Sequence, residues 1–450
     1  MAAQAGFNRG QRCKADYRKT GNPEFDGNPL IETLPPTYEN EEIAQYLSYK
    51  PVIPDGIRRW PKEKRLELIT PQIRSIFQPL SPHFSLARRV SQSIRTGYVL
   101  RNPFGCPNEL HAAEERLKRF TPGLKIPPSL QTAPLGFALI GMSGMGKTTS
   151  LVAILQGLYP QVVDHEKYNG RRLLLKQVPW LILSCPSDGA SLKELCKNFF
   201  RQIDSLADTK YESNYSGATA EELGRGMAFV AKEQALGLLV IDEIQFLCAA
   251  KSGGDDRLLN FLVQLVNTLG IPVVTVGTYS AMKALGKEML HIRRAGGIEG
   301  EIIWDNWLSD SSDFQFLVNA LFEYQYVKHP VALSPTLIET LYDVTQGITD
   351  YMVKVFTAAQ VRAIVVGQER ITVDIIRSVA RDLLRQAGPF LTALLKKDKS
   401  VLLEMEDAVP IDLDEFMTRE IRKKDQSAAS KTEPPKKNSK SKATKRRRHN

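Results

Sequence analysis

The hydrophobic pattern of the chain changes at residue 135. Beyond it, short apolar runs at Phe137–Ile140, Leu181–Ser184, Leu238–Ile241, Val273–Val276 and Glu301–Trp304 alternate with stretches of helical spacing. An unbroken run of four or five apolar residues fits a strand buried on both faces. Such strands separated by helices predict a parallel α/β sheet. From Ser311 to Gln386 the period is wholly helical, with helices expected at Phe314–Tyr326, Pro335–Thr345, Ile348–Val366 and Val373–Leu384 and a break at Gly347. Residues 1–134 are rich in Pro, aromatic and charged residues and read as an extended arm followed by amphipathic helices. Among these, Pro71–Arg95 has helical spacing interrupted by Pro79 and Pro82, and His111–Phe120 reads as a short helix. Four units are therefore expected: a partner-binding N-terminal extension (1–134), an α/β domain (135–308), a helical lid (309–386) and a largely unstructured acidic-then-basic tail (387–450).

Composition narrows the class. No stretch of eighteen or more apolar residues exists, so a helical membrane span is not expected. The polar, basic N-terminus lacks the apolar core of a secretory signal. The five cysteines form no CxxC pair, which argues against a zinc site or a disulfide framework and for a reducing, cytoplasmic setting. The net charge of +10 is concentrated at one end. Residues 421–450 hold twelve Lys/Arg against Asp425 and Glu433, so the remaining 420 residues are close to neutral. Such a tail attracts polyanions without regard to sequence, although solubility alone would also account for it. Just before it, Leu402–Phe416 interleaves acids with Leu, Met, Val, Ile and Phe, a composition that folds on a partner's groove.

One motif decides the chemistry. Gly141-Met142-Ser143-Gly144-Met145-Gly146-Lys147-Thr148 is a full G-x-x-x-x-G-K-[ST], with an apolar strand running in and a helix, Thr149 to Leu158, running out. In that context the backbone N–H groups of the loop cradle phosphates and the helix N-terminus adds partial positive charge. Lys147 reaches the β- and γ-phosphates of ATP, and the Thr148 hydroxyl ligates Mg2+. Residues 141–149 are thus the expected ATP cradle, ending at Thr149.

A second signal lies at the C-terminal end of the run Leu238-Leu239-Val240-Ile241, where Asp242 and Glu243 follow. That edge of a parallel sheet is where ligands bind. Asp242 is expected to hold Mg2+ and Glu243 to polarise the attacking water. Thr278, at the end of the Val273–Val276 strand, is the candidate contact to the γ-phosphate or the water; a plain turn residue is the alternative. Arg293 and Arg294 are candidate trans-acting arginines, since a rigid guanidinium suits the charge that develops on the γ-phosphate, although a surface basic pair reads the same way. Lys354, on the helix opened by Gly347-Ile348-Thr349-Asp350, is placed to lie over the nucleotide from the lid.

With these motifs assembled, the chain resembles the TnsC/TniB regulators of DNA transposition, which are AAA+ ATPases. The resemblance runs through Ser187–Phe200, Leu239–Gln245, the strand and Gly-Thr turn of Ile271–Thr278, and Thr345–Asp350, and spans about Leu135 to Leu384. It implies a P-loop AAA+ parallel sheet sandwiched by helices and followed by a helical lid. It also implies an ATP-dependent ring or helical homo-oligomer on duplex DNA that links a target-selection factor to the transposase subunits. By the same resemblance Lys193, Lys197, Thr209 and Lys210 track the DNA backbone; Lys193 and Lys197, spaced i,i+4, share a helix face. The extension of more than a hundred residues before the P-loop departs from TniB. Two other readings stay open. One is a helicase-loader or origin-recognition AAA+ ATPase, which would carry a winged-helix domain for which residues 385–450 are too short and polar. The other is a nucleotide-dependent signalling scaffold with no DNA role.

Overall fold

The fold is described from a computed structural model, which describes residues 9–99, 101–104, 136–186, 192–249, 261, 269–281, 301–396 and 411–421. Its centre is a five-stranded parallel sheet built from β2 (Phe137–Gly141), β5 (Trp180–Ser184), β6 (Leu238–Asp242), β7 (Val273–Gly277) and β8 (Ile302–Trp304). The strand order is β5-β6-β7-β2-β8. The apolar runs are buried along their whole length in β2, β6 and β7, as expected of strands covered by helices on both faces. In register, Ser184 lies beside Asp242 and Ile140 beside Gly277. The carboxyl ends of the four neighbouring strands β5, β6, β7 and β2 therefore finish close together.

Helices α5 (Lys147–Leu158), α6 (Leu192–Ala207), the short α7 (Tyr211–Asn214) and α8 (Ala220–Glu233) belong to this domain. One face of the sheet packs on α6 and α8, where Phe199, Phe200, Ile203, Met227 and Val230 form a core with Leu181, Leu239 and Ile241. The other face packs on α5 and on the N-terminal segment. A β-hairpin stands apart from the sheet: β3 (Val162–Tyr168) and β4 (Arg171–Gln177) are antiparallel, joined at Asn169-Gly170 with positive φ at both residues. Asn-Gly is the sequence that such a two-residue turn favours, but the hairpin is absent from the strand pattern read above. The strand β1 (Arg12–Lys14) pairs with β3 in parallel.

The N-terminal segment is integrated rather than extended. Its helices are α1 (Pro29–Glu32), α2 (Asn40–Leu47), α3 (Lys62–Ser75) and α4 (Ser81–Val99). The break read at the prolines falls at residues 76–80, while Pro71 lies inside α3. Buried Leu86, Val90, Ile94 and Tyr98 join α4 to the sheet, and the Tyr98 hydroxyl donates to the Ala235 carbonyl at 2.7 Å. His111–Phe120 lies outside the described residues.

The lid comprises α9 (Ser312–Phe322), α10 (Pro335–Thr345), α11 (Thr349–Val366) and α12 (Val373–Leu383). Helix α11 is buried on nearly every side and forms the lid's axis. Arg65 of α3 ties this lid to the N-terminal segment: its guanidinium donates to both carboxylate oxygens of Glu369 (2.8 and 2.6 Å) and to the Tyr326 carbonyl (2.7 Å). The tail expected to be unstructured from residue 387 differs in two places. Helix α13 (Gly388–Leu395) continues the lid, and residues 413–421 form a helix, α14. Apolar content explains both: Phe390, Ala393, Ile411, Leu413 and Phe416 are buried, which offsets the entropy of ordering the backbone. No described helix is long and apolar enough to cross a membrane.

Candidate active site

The P-loop leaves β2 at Gly141 and enters α5 at Lys147. A Cβ at Gly141 would lie 2.0 Å from the Trp304 carbonyl oxygen, so only glycine lets β2 and β8 approach this closely. Gly144 and Gly146 both take positive φ, 78° and 86°, turning the loop into a concave backbone surface that a side chain would strain. Gly144 also receives the lid directly, its carbonyl accepting the Asp350 N–H at 2.9 Å.

Inside the loop, Lys147 Nζ donates to the Gly141 and Met142 carbonyls, both at 2.8 Å. Met142 and Met145 are buried, whereas Ser143 and Thr148 are half-buried and Thr149 is exposed. Thr148 Oγ1 donates to the Asp242 carboxylate, 3.1 and 2.9 Å from its two oxygens. This contact joins two motifs that lie 94 residues apart in sequence. Asp242 is pushed up to about 6 by burial and then by the negative charge of Glu243. A buried carboxylate with a second one beside it favours a cation, and the hydroxyl and carboxylate oxygens of Thr148 and Asp242 are the hard donors that Mg2+ takes.

Glu243 sits on a left-handed backbone, φ 57°. Its side chain accepts from Gln245 Nε2, and Gln245 Oε1 in turn accepts the Thr278 N–H at 3.3 Å. The Thr278 hydroxyl is 2.7 Å from Ser280 Oγ. Gln245 thus links the ends of β6 and β7, a role not assigned from the sequence.

A cavity of about 590 Å3 lies over the loop, lined by Gly144–Ser150, Asp242, Glu243 and Thr278 from the α/β domain. Thr349, Asp350 and Lys354 line it from the lid. Lys354 Nζ pairs with Asp350 at 2.6 Å. A third wall was not expected from the sequence: Ile73, Arg74, Phe77, Leu80 and His83 come from α3, α4 and the turn between them. This wall is fixed at both ends. Tyr49 and Phe77 exchange backbone hydrogen bonds at 3.0 and 2.9 Å, and His83 Nε2 lies 3.0 Å from Ser150 Oγ, whose own partner is the Gly146 carbonyl at 2.7 Å. Burial lowers His83 to about 4, so the ring is neutral near pH 7.

The candidate DNA-contacting residues do not gather here. Arg293 and Arg294 lie outside the described residues, as do Ser187–Ser191 of the segment preceding α6. Lys193 is exposed and Lys197 half-buried on the first turns of α6. Thr209 and Lys210 follow the other end of that helix, about 20 Å away at 1.5 Å per residue. Thr209 Oγ1 donates to Asp204 at 2.6 Å, and the same carboxylate accepts the Tyr211 and Glu212 N–H groups at the start of α7.

Residues 133–285 match a family described as AAA domain. The chain carries an AAA-type P-loop ATPase domain. With the parallel sheet and the strand–loop–helix of the P-loop, this bears out the expected fold and the expected ATPase. Among solved structures the chain is similar to a Walker-type ATPase of Pyrococcus abyssi, at 16% identity over 72% of this chain and 90% of that one, with a TM-score of 0.39. It is also similar to the ORC1 protein of Aeropyrum pernix, solved in complex with DNA, at 14% identity over 73% and 87%, TM-score 0.40. A third is the RuvB Holliday junction branch migration motor of Thermotoga maritima, at 16% identity over 67% and 83%, TM-score 0.34. No curated protein matches the chain.

Proposed function

We propose that this ATPase is an ATP-dependent, DNA-binding regulator of transposition that assembles on duplex target DNA and links a target-selection factor to the transposase. Its ATPase chemistry rests on one observation above the others, the hydrogen bonding of Thr148 to Asp242, which brings the phosphate cradle and the acid pair into one cavity. In this reading Gly141–Thr149 and Lys147 hold the phosphates of ATP, and Thr148 and Asp242 hold Mg2+, which would offset phosphate charge. Glu243 accepts the proton of the attacking water, and Thr278, tied to it through Gln245, orients that water. Lys354 closes on the nucleotide from the lid. Arg293 or Arg294 acts on the site of a neighbouring subunit.

The DNA reading is supported by the resemblance to TnsC-type regulators and by the paired lysines of α6. About six assembled subunits would present on the order of ten phosphate contacts, enough for tight, salt-sensitive binding that one subunit alone lacks. The test is a two-by-two comparison in which Lys193 and Lys197 are kept or changed to alanine and residues 422–450 are present or absent. Binding to a short duplex is measured with and without a non-hydrolysable ATP analogue. The ATP-dependent part should vanish with the lysines and survive loss of the tail. If it follows the tail and ignores the lysines, the ATPase body is not the gripping surface.

A further inference from the structure

The helix α14 at residues 413–421 is not accounted for by the ATPase site, yet it is fastened to two of that site's walls. On its inner side Leu413 is 1% and Phe416 6% exposed, within the same core as α11 and α12. Arg362 of α11 holds it electrostatically: Nε donates to Glu420 at 2.9 Å, Nη2 to Asp382 at 2.8 Å and Nη1 to Ser378 Oγ at 2.7 Å. The Arg362 guanidinium also lies 5.2 Å from the centre of the Phe416 ring. On the other side α14 meets α3, where Thr70 Oγ1 is 3.1 Å from Met417 Sδ and Arg74 pairs with Asp414 at 3.8 Å. Arg74 and Ile73 of α3, and Val353 and Lys354 of α11, line the nucleotide cavity. One short helix therefore spans the two elements that close over ATP.

We propose that the groove between α3 and α11/α12 is a docking surface whose occupant is residues 411–421 of this chain, and that the docked helix acts as a clamp that slows nucleotide release. The proposal rests on the ATPase reading of the cavity and not on the transposition reading. Three features favour this occupant. The apolar residues Ile411, Leu413 and Phe416 enter the groove from one side of the segment. The carboxylate of Glu420 is the second acid, beside Asp382, that accepts from the buried Arg362. Seventeen residues, 396–412, lie between α13 and α14 in the sequence, a tether long enough by chain length for the helix to leave the groove while remaining part of the chain. The clamp works by population: when it is docked, α3 and α11 are held together and the closed form of the cavity is favoured; when it is away, opening is easier and nucleotide leaves faster.

The experiment uses the full chain, a chain ending at residue 410, and the full-length double variant Leu413→Asp/Phe416→Asp. Release of a fluorescent ATP analogue is timed by chase with unlabelled ATP, and amide exchange is followed in α3 and α11. Both altered chains should release the analogue about tenfold faster than the full chain, the effect of roughly 1.4 kcal/mol of lost closure. Exchange should rise in α3 and the middle of α11 while β2 and β6 stay protected, which shows that the body remains folded. Adding residues 411–421 as a separate peptide to the chain ending at 410 should restore slow release. Unchanged release in the chain ending at residue 410, which lacks α14 altogether, overturns the clamp. So does faster release accompanied by lost protection of β2 and β6, because a general loss of folding would then explain it. If none of the three chains binds the analogue, the ATPase reading itself fails.

Discussion

At the scale of single residues, the site separates binding from chemistry. Lys147 is held against the loop by two carbonyls, so on the proposed reading of the loop as an ATP cradle Lys147→Ala should abolish ATP binding. Equal nucleotide affinity in variant and parent would remove it from the site. Glu243→Gln keeps size and the contact to Gln245 but removes the proposed base. It should bind ATP normally and hydrolyse it at least ~100-fold more slowly; near-normal turnover in a steady-state phosphate-release assay would assign the base elsewhere. His83 gives a pH signature. It is lowered from 6.5 in the unfolded chain to about 4. Between those values the unfolded chain binds the extra proton, so stability is intact above pH 6.5 and is lost as the pH falls toward 4. The loss is on the order of 3 kcal/mol. Thermal melts at pH 7 and pH 4.5 should show a larger drop for the parent than for His83→Gln, and equal drops would mean the ring is not kept neutral by burial.

At the scale of elements, the part visible in the sequence was the part with a strict local signature. Strands β2, β5, β6 and β7 are buried along nearly their whole length and therefore read as plain apolar runs, and the P-loop and the acid pair are local motifs with fixed spacing. The hairpin β3–β4 was missed because its strands are half-exposed and charged, as in Glu166, Lys167, Arg171 and Arg172; only Asn169-Gly170 marked it. The wall at residues 73–83 was missed for a different reason. Nothing in Ile73, Phe77 or His83 distinguishes a cavity lining from a core, and their role arises from packing across about sixty residues of intervening sequence. The lid's attachment to α3 was equally invisible, since Arg65 and Glu369 are far apart and unremarkable alone. Their buried pairing carries a clear prediction. Arg65→Met removes the guanidinium that serves both Glu369 oxygens and the Tyr326 carbonyl, leaving the carboxylate only the Lys328 N–H, and should lower the unfolding free energy by about 3–5 kcal/mol. In urea melts, Arg65→Met/Glu369→Leu should recover much of that loss, whereas a single-variant effect below about 1 kcal/mol would show the pair to be dispensable.

At the scale of the whole molecule, the reading that one subunit completes another's site is tested by mixing. Arg293→Ala/Arg294→Ala should bind ATP yet lose turnover, and adding a Lys147→Ala partner should restore some activity where the two share an interface. Absence of recovery at every ratio, with mixed assembly verified by native mass measurement, would place the arginines in a different role. The three-walled cavity has a further consequence, for how such a chain can be recombined. Its floor is at residues 141–150, its far edge at 242–243 and 278, its roof at 349–354 and its remaining side at 73–83. A crossover between two related genes that falls between residues 104 and 136 would inherit the floor from one parent and that side from the other. The P-loop would be intact in such a hybrid, yet Ile73, Phe77 and His83 would face a surface they were never matched to. Exchange of ATPase modules among relatives should therefore succeed at breakpoints before β1 or after α14, which leave the β1–β3 pairing and the seat of α14 intact, and fail just ahead of the P-loop, where the sequence alone invites a cut.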